Sequence, residues 1–230
     1  FFGLKHLNLN TNWGDSSLMR EKLAYDLFNE AGIPSGRTAY TRLYMNGDYM
    51  GLYLIVEQVK SVFLKTRFGS PVGDCYKDNW SQLDAVSSSR DDYISSLANG
   101  FSPALEIMTN EEDFDHTAMV TFVDILNNTP ENEFAETIGD YFLVHEFLSA
   151  LALNCLLGTI DDYWYYAHNF FLYNHHGKFM WIPWDLDHCF GSMWAGFTVE
   201  TSDIYAFAPR NTDWNDGARP LIDRILAVPE

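Results

Sequence analysis

Cysteine, basic residues and long apolar runs are all scarce in this chain of 230 residues, and each shortage excludes a class of protein. The three cysteines, Cys75, Cys155 and Cys189, are widely spaced and odd in number, which excludes a dense disulfide scaffold and a zinc site of the CxxC type. Only 14 lysines and arginines accompany 32 aspartates and glutamates, so the net charge of −18 repels nucleic acid and anionic membranes. No run approaches the roughly 20 apolar residues that cross a bilayer. We therefore expect no nucleic acid partner and no membrane span in this segment.

Apolar and aromatic residues are plentiful, and their spacing predicts an α+β fold. Hydrophobic residues make up 47% of the chain, enough to bury one large core. Two β-branched and aromatic runs, 38–45 and 49–56, are joined by Asn46-Gly47, which favours a tight hairpin. In chain order, the patterns predict a strand, a helix, this hairpin, a connecting segment with fragments of structure, two helices and a second hairpin (residues 4–10, 18–28, 38–56, 61–110, 113–127, 138–157 and 170–183).

Acidic residues surround the second hairpin. Asp161 precedes its first strand, Asn169 stands at the edge of that strand, and Asp185 and Asp187 follow the second strand. Because a hairpin returns the chain on itself, we expect these side chains to converge. Carboxylate and amide oxygens suit Mg²⁺ or Mn²⁺, and one further carboxylate could take the proton of an attacking hydroxyl. The pattern is compatible with phosphoryl transfer.

Other interpretations of the same acids stay open. Each acid taken singly is explained as a turn former or a solvated strand end, although the many aromatic neighbours favour a cleft. Glycoside hydrolysis, with Asp161 and Asp185 as acid and base, is the strongest alternative, because sequence does not measure the distance between two carboxylates. Zinc binding is less favoured, since the histidines form neither an HxxxH nor an HExxH pattern.

Three segments carry a recognisable combination of motifs. Residues 16–34 contain SSLMREKLAYDLF and then GIP; residues 42–59 contain RLYMNGDYMGLY and then VEQV; residues 158–191 contain GTID, HNFFLY, IPWDLD and FG. In this order, the three segments resemble the spore-coat protein H (CotH) kinase family, which commonly has GNWD where this chain has GTID. Cys75-Tyr76-Lys77 match weaker positions of the family.

The resemblance implies an atypical, secretory-type protein kinase fold with two lobes, in which part of the N-terminal lobe would precede Phe1. Residues 1–230 would form one domain: 1–60 in the N-terminal lobe, 61–110 a connector, and 111–230 a mainly helical C-terminal lobe that carries the acidic hairpin. The implied activity is transfer of the γ-phosphate of ATP to Ser or Thr of a basic protein substrate, with Mg²⁺ or Mn²⁺. A secreted, cell-surface or spore-coat location is implied as well. The alternative is a non-catalytic surface or coat-assembly protein with the same fold.

The resemblance also implies roles for the acids. Asp161 matches the catalytic aspartate that takes the hydroxyl proton. Asp185 matches the aspartate that holds the metal, with Asp187 and Asn169 as supporting ligands.

The nucleotide-binding residues follow from the order of elements in a kinase. Glu21, on the first helix, would orient a phosphate-binding lysine, and Glu57 and Gln58 follow the hairpin at the place where a kinase contacts adenine. The family's lysine-bearing strands would precede Phe1, so the phosphate-binding lysine is expected to be missing from this segment unless Lys77 or Lys5 takes its place.

Overall fold

The protein, as a computed structural model, is described here over residues 6–69, 72–95, 100–191 and 217–229. Within these ranges the strands are β1 (Asn8–Asn10), β2 (Thr38–Met45), β3 (Asp48–Val56), β4 (Cys75–Asp78), β5 (Leu105–Ile107), β6 (Phe170–His175) and β7 (Lys178–Pro183). The α-helices are α1 (Arg20–Glu30), α2 (Ser61–Phe68), α3 (His116–Asn128), α4 (Glu131–Tyr141), α5 (Val144–Leu157), α6 (Tyr163–Tyr166) and α7 (Pro220–Leu226). A short 3-10 helix spans Arg90–Tyr93. The α+β class predicted from the sequence is confirmed.

The first sheet is antiparallel, with strand order β1-β3-β2. Its hairpin pairs Thr38 with Val56 and Met45 with Asp48, as the spacing predicts. Asn46 and Gly47 both have positive φ (+53° and +95°), the backbone that a two-residue hairpin turn requires. Helix α1 packs its buried face against the inner residues of this sheet.

The second sheet is also antiparallel, with strand order β5-β4-β6-β7. Its hairpin β6–β7 confirms the predicted second hairpin. The segment 61–110, which the sequence pattern describes as a connecting segment with fragments of structure, supplies helix α2 and two strands of this sheet, and β4 is an interior strand. Strand β4 is short and ends in two charged residues, so it lacks the apolar alternation by which strands are recognised. Only its pairing with β6, far along the chain, reveals it.

Helices cover both faces of the second sheet. On one face Phe170 stacks on Trp181, with ring centroids 4.1 Å apart, among residues from α3 to α5. On the other face Phe171 and Ile182 pack with residues of α2. Among the described residues, no helix is long and apolar enough to cross a membrane.

The helix predicted over 138–157 is divided into α4 and α5. The division falls at Phe142 and Leu143, and the amide of Leu143 donates to the carbonyl of Phe179 at 2.9 Å. Phe142 also forms an isolated bridge with Phe179. The helical spacing continues across the division, but contact with the sheet edge overrides it locally.

Candidate functional site

The candidate site lies where the chain leaves helix α5 and where it leaves strand β7. Helix α5 ends at Gly158, whose left-handed backbone (φ +60°) turns the chain toward Asp161. Two backbone hydrogen bonds join this stretch to the one after β7: Ile160 N–H to His188 C=O (3.1 Å) and Phe190 N–H to Leu157 C=O (2.8 Å). These bonds place Asp161 beside the loop that carries Asp185 and Asp187.

Asn169 bridges the two acidic stretches. Its side-chain Nδ2 donates to the backbone carbonyl of Asp161 at 2.8 Å. Its own backbone carbonyl accepts from the amide of Trp184, next to Asp185, at 3.1 Å. Asn169 is buried, and its side-chain nitrogen is occupied by this contact, so its side-chain oxygen is the atom suited to a metal.

The carboxylates crowd one another electrostatically. Burial raises the pKa of Asp185, and the negative charge of Asp161 raises it further. Burial also raises the pKa of Asp187 to about 7, helped by the charges of Asp185 and Asp161. Asp161 Oδ1 and Asp187 Oδ1 are buried without a hydrogen-bond partner among the described residues. Asp187 Oδ1 also lies 3.7 Å from His188 Nε2. Carboxylate oxygens without hydrogen-bond partners and under mutual repulsion are groups that a cation stabilises.

Glu21 on helix α1 belongs to the same group of acids. It is 2% exposed, and one of its oxygens accepts from Asn10 Nδ2 at 2.7 Å, while Oε2 has no partner in the described part of the chain. Burial raises the pKa of Glu21 to about 8, with added contributions from Asp185 and Asp187. Glu21 forms no ion pair with a described lysine. Glu21 therefore lies with the acids, and its role in orienting a phosphate-binding lysine stays a prediction.

Tyr25, one helical turn after Glu21, connects helix α1 to the loop after β7 by a hydrogen bond. Tyr25 is fully buried, and its hydroxyl accepts the amide hydrogen of Asp185 at 3.1 Å. Asp185 has a left-handed backbone (φ +53°), which is costly for a residue other than glycine. The contact with Tyr25 helps to hold that conformation.

Lys77 supplies positive charge near the acids. It lies on β4 opposite Phe171 of β6. Its charge, together with the charges of His188 and His168, opposes the rise in the pKa of Asp185. Lys77 forms no ion pair with a described residue. The other predicted lysine, Lys5, lies outside the described residues.

Glu57 and Gln58 are placed elsewhere, at a cavity of about 530 Å³ between the first sheet and the start of α2. Glu57 is bound to Arg37 (2.6 Å) and Arg67 (3.0 Å). Burial by itself would raise the pKa of Glu57, but these two arginines lower it overall. Gln58 Oε1 is buried without a hydrogen-bond partner in the described structure. No member of the acidic group lines this cavity, so Glu57 and Gln58 are separate from the group.

The residues of the site suit a divalent cation that is bound jointly by protein and nucleotide. They suit a cation bound by protein side chains alone less well. Among the described residues, no group of three or more histidine, cysteine, aspartate or glutamate side chains could hold a metal ion. Mg²⁺ commonly takes only one or two carboxylates and completes its shell with substrate phosphates and water. Asp187 Oδ1, which has no hydrogen-bond partner among the described residues, is compatible with that partial ligand set.

Two positions that organise the site do not stand out in the sequence. Tyr25 reads as one more apolar residue of an amphipathic helix. Asp78 reads as the polar end of a connecting segment, yet it is 2% exposed and bonded to His168 and Asn169. A contact with a residue far along the chain produces no periodic pattern in the sequence. Only the folded structure therefore reveals the roles of Tyr25 and Asp78.

Comparison with known proteins agrees with the motifs. A family model described as "CotH kinase protein" matches residues 1–230. The chain belongs to the CotH family.

The chain is similar to parts of longer curated proteins. It is 29% identical over 194 residues to inner spore coat protein H of Bacillus subtilis, covering 83% of this chain and 51% of that protein. It is 25% identical over 194 residues to spore coat protein homolog 1 of Rhizopus delemar, covering 79% of this chain and 31% of that protein. A third match, to an inner spore coat protein H-like protein of Bacillus subtilis, is 40% identical over 55 residues, or 24% of this chain and 18% of that protein. The chain thus spans about half or less of each relative.

Proposed function

We propose that this CotH-family chain carries the phosphoryl-transfer site of a metal- and ATP-dependent protein Ser/Thr kinase with a kinase-like two-lobe fold. The supporting observation is the convergence of Asp161, Asp185 and Asp187 at one place, with buried carboxylate oxygens that have no hydrogen-bond partner among the described residues. The description of the family as kinase proteins supports the same activity.

In the proposed reaction, the hydroxyl oxygen of a substrate Ser or Thr attacks the γ-phosphorus of ATP, and ADP leaves. Asp161, held by Asn169, accepts the hydroxyl proton. Asp185, Asp187 and the side-chain oxygen of Asn169 would hold Mg²⁺ or Mn²⁺, which when bound neutralises charge on the phosphates.

Two further residues adjust this site. Glu21 adds a carboxylate next to Asp185 and Asp187, and Lys77 supplies a cation for phosphate oxygens. The presence of Lys77 favours phosphoryl transfer over glycoside hydrolysis, because glycoside hydrolysis needs two carboxylates but no phosphate-binding cation. Glu57 and Gln58 border the separate cavity, where a nucleotide base is one candidate ligand.

All three relatives are named for the spore coat, which favours a coat or cell-surface location for this chain. The same names support a second candidate function, a coat-assembly protein that binds without catalysis. The two functions differ in one measurable property, the transfer of phosphate.

The deciding experiment measures transfer of labelled γ-phosphate from ATP to a Ser-rich basic peptide, with Mg²⁺ or Mn²⁺ present. Asp161→Asn and Asp185→Asn should each lower the rate by at least roughly a hundredfold, as expected for a general base and a metal ligand. Asp113→Asn, at an exposed loop position, is the matched control and should keep the wild-type rate. Equal transfer by all four proteins would reject these roles, and no transfer by the wild type would favour the binding function.

A further inference from the structure

A buried carboxylate at the end of strand β4 is bonded to the stretch that precedes β6. Asp78 is 2% exposed. Its Oδ2 accepts from His168 Nδ1 at 2.8 Å and from the amide of Asn169 at 3.0 Å. Its Oδ1 accepts from the amide of Ser81 at 2.7 Å, and the amide of Trp80 also donates to the carboxylate. Both oxygens of Asp78 are therefore used as acceptors.

The stretch that Asp78 holds has an unfavourable backbone. Ala167 and Asn169, on either side of His168, are left-handed, with φ of +55° and +62°. Such a conformation costs on the order of 1 kcal/mol or more for each residue other than glycine, and it persists only when the surroundings enforce it. The carboxylate of Asp78 fixes both the His168 ring and the Asn169 amide, and the indole of Trp80 stacks on that ring at 4.1 Å.

From this stretch the contacts continue directly to both acidic segments. Asn169 donates through its side chain to the carbonyl of Asp161 and accepts through its backbone from Trp184, the residue before Asp185. One buried carboxylate thus fixes the residue that touches both halves of the acidic site.

We propose that Asp78 is a positioning residue that sets the relative placement of Asp161 and Asp185 through Asn169. It does not touch the reacting atoms. Its effect on rate rests on the kinase function proposed above, whereas its effect on geometry is independent of that function.

The bond pattern of Asp78 suggests the variant for the test. Asp78→Asn preserves the size of the side chain but leaves one acceptor oxygen in place of two. Its new NH₂ group, a donor, would face other donors: either the Ser81 amide, or His168 Nδ1 and the Asn169 amide. Thr109→Val is the matched control. Thr109 is also buried, and its hydroxyl bonds the other end of β4, accepting from Cys75 N and donating to the Gly73 carbonyl at 2.9 Å each.

The experiment compares wild type, Asp78→Asn and Thr109→Val in three measurements: thermal unfolding, kcat and KM for ATP, and the amide NMR resonances of Asn169 and Trp184. We expect Asp78→Asn to lower kcat roughly 10- to 100-fold with a much smaller change in KM, which is the usual effect of losing a residue that orients a ligand. It should also move both resonances. Thr109→Val should lose stability but keep kcat and both resonances.

Wild-type kcat in folded Asp78→Asn would overturn the proposal. So would an equal fall in kcat in both variants, because that would mean that loss of stability alone explains the effect. If the wild-type protein transfers no phosphate, the kinase function fails, and the NMR resonances alone test the positioning role of Asp78. Resonances that move in Asp78→Asn but not in Thr109→Val support that role. Resonances that do not move in Asp78→Asn reject it.

Discussion

Glu21 illustrates how one side chain acquires a property that its residue type does not have. A glutamate on an amphipathic helix is ordinarily ionised and solvated, but here it is 2% exposed and turned toward Asp185 and Asp187. Burial and these neighbours disfavour its charged form and raise its pKa to about 8. A bound cation would reverse that preference.

The raised pKa of Glu21 makes the stability of the metal-free protein depend on pH. The ordinary pKa of a glutamate, which applies to Glu21 in the unfolded chain, is 4.5. Below about this pH, Glu21 is protonated in both the folded and the unfolded chain. As the pH rises to about 8, the unfolded chain loses this proton while the folded chain keeps it, so the free energy of unfolding falls. We expect Glu21→Gln to remove roughly 2–4 kcal/mol of this fall, as measured by urea unfolding in chelator across that range.

Asp113→Asn serves as the control for this measurement, since Asp113 is an exposed turn residue. It should reproduce the wild-type pH dependence. Identical pH dependence in Glu21→Gln and wild type would mean that Glu21 is ionised in the folded protein, contrary to the expectation.

At the scale of elements, the short helix α6 depends on contacts from outside. It follows directly after Asp161, and the side chain of Asp162 accepts from the amide of Tyr165 at its start, at 3.0 Å. The fully buried Arg219, at the start of α7, donates from Nε to the carbonyl of Tyr163 at 2.6 Å and from Nη2 to that of Tyr165 at 2.7 Å. The residue just before the helix and one distant segment thus supply hydrogen bonds to groups that a four-residue helix leaves open.

Replacing Arg219 should therefore destabilise the protein strongly. Arg219→Met preserves a long apolar side chain but removes the guanidinium hydrogen bonds to the carbonyls of Tyr163 and Tyr165, and we expect a loss of roughly 3 kcal/mol in urea unfolding. Arg90→Met is the matched control, because Arg90 also donates to a carbonyl, that of Glu111 at 2.6 Å, but in an exposed setting where water can replace it. It should cost less than about 1 kcal/mol. Equal losses would contradict the role given to burial.

The whole molecule carries a net charge of −18, which acts beyond any single contact. Such a field attracts basic protein segments and repels acidic ones, and salt screens it over about 10 Å at moderate ionic strength. If the proposed activity is present, its substrate preference should follow this field.

We expect kcat/KM for a basic Ser-containing peptide to exceed that for an acidic peptide of equal length by roughly tenfold or more at low salt. The difference should shrink as salt is added, because screening weakens both attraction and repulsion. A neutral peptide is the control and should respond little to salt. A preference that persists at high salt would point to direct contacts instead of the overall field.

Local features of the sequence were sufficient for the parts of the fold that form between near neighbours. Asn46-Gly47 between two β-branched runs predicts the first hairpin, because its turn needs the positive φ that these residues tolerate. Asp161 and Asp185 flank the second hairpin, so their convergence also follows from local geometry. In each case the chain separation is short and the backbone preference is strong.

Tertiary structure alone decided the contacts between distant segments. The register of β4 with β6, the burial of Asp78 against His168, and the approach of Glu21 to Asp185 all join parts of the chain that carry no shared pattern. Side-chain periodicity reports which face of an element is buried, but not which partner covers it. The sequence by itself therefore determined the family, the hairpins and the acidic residues, while packing decided which carboxylates meet and how they are held.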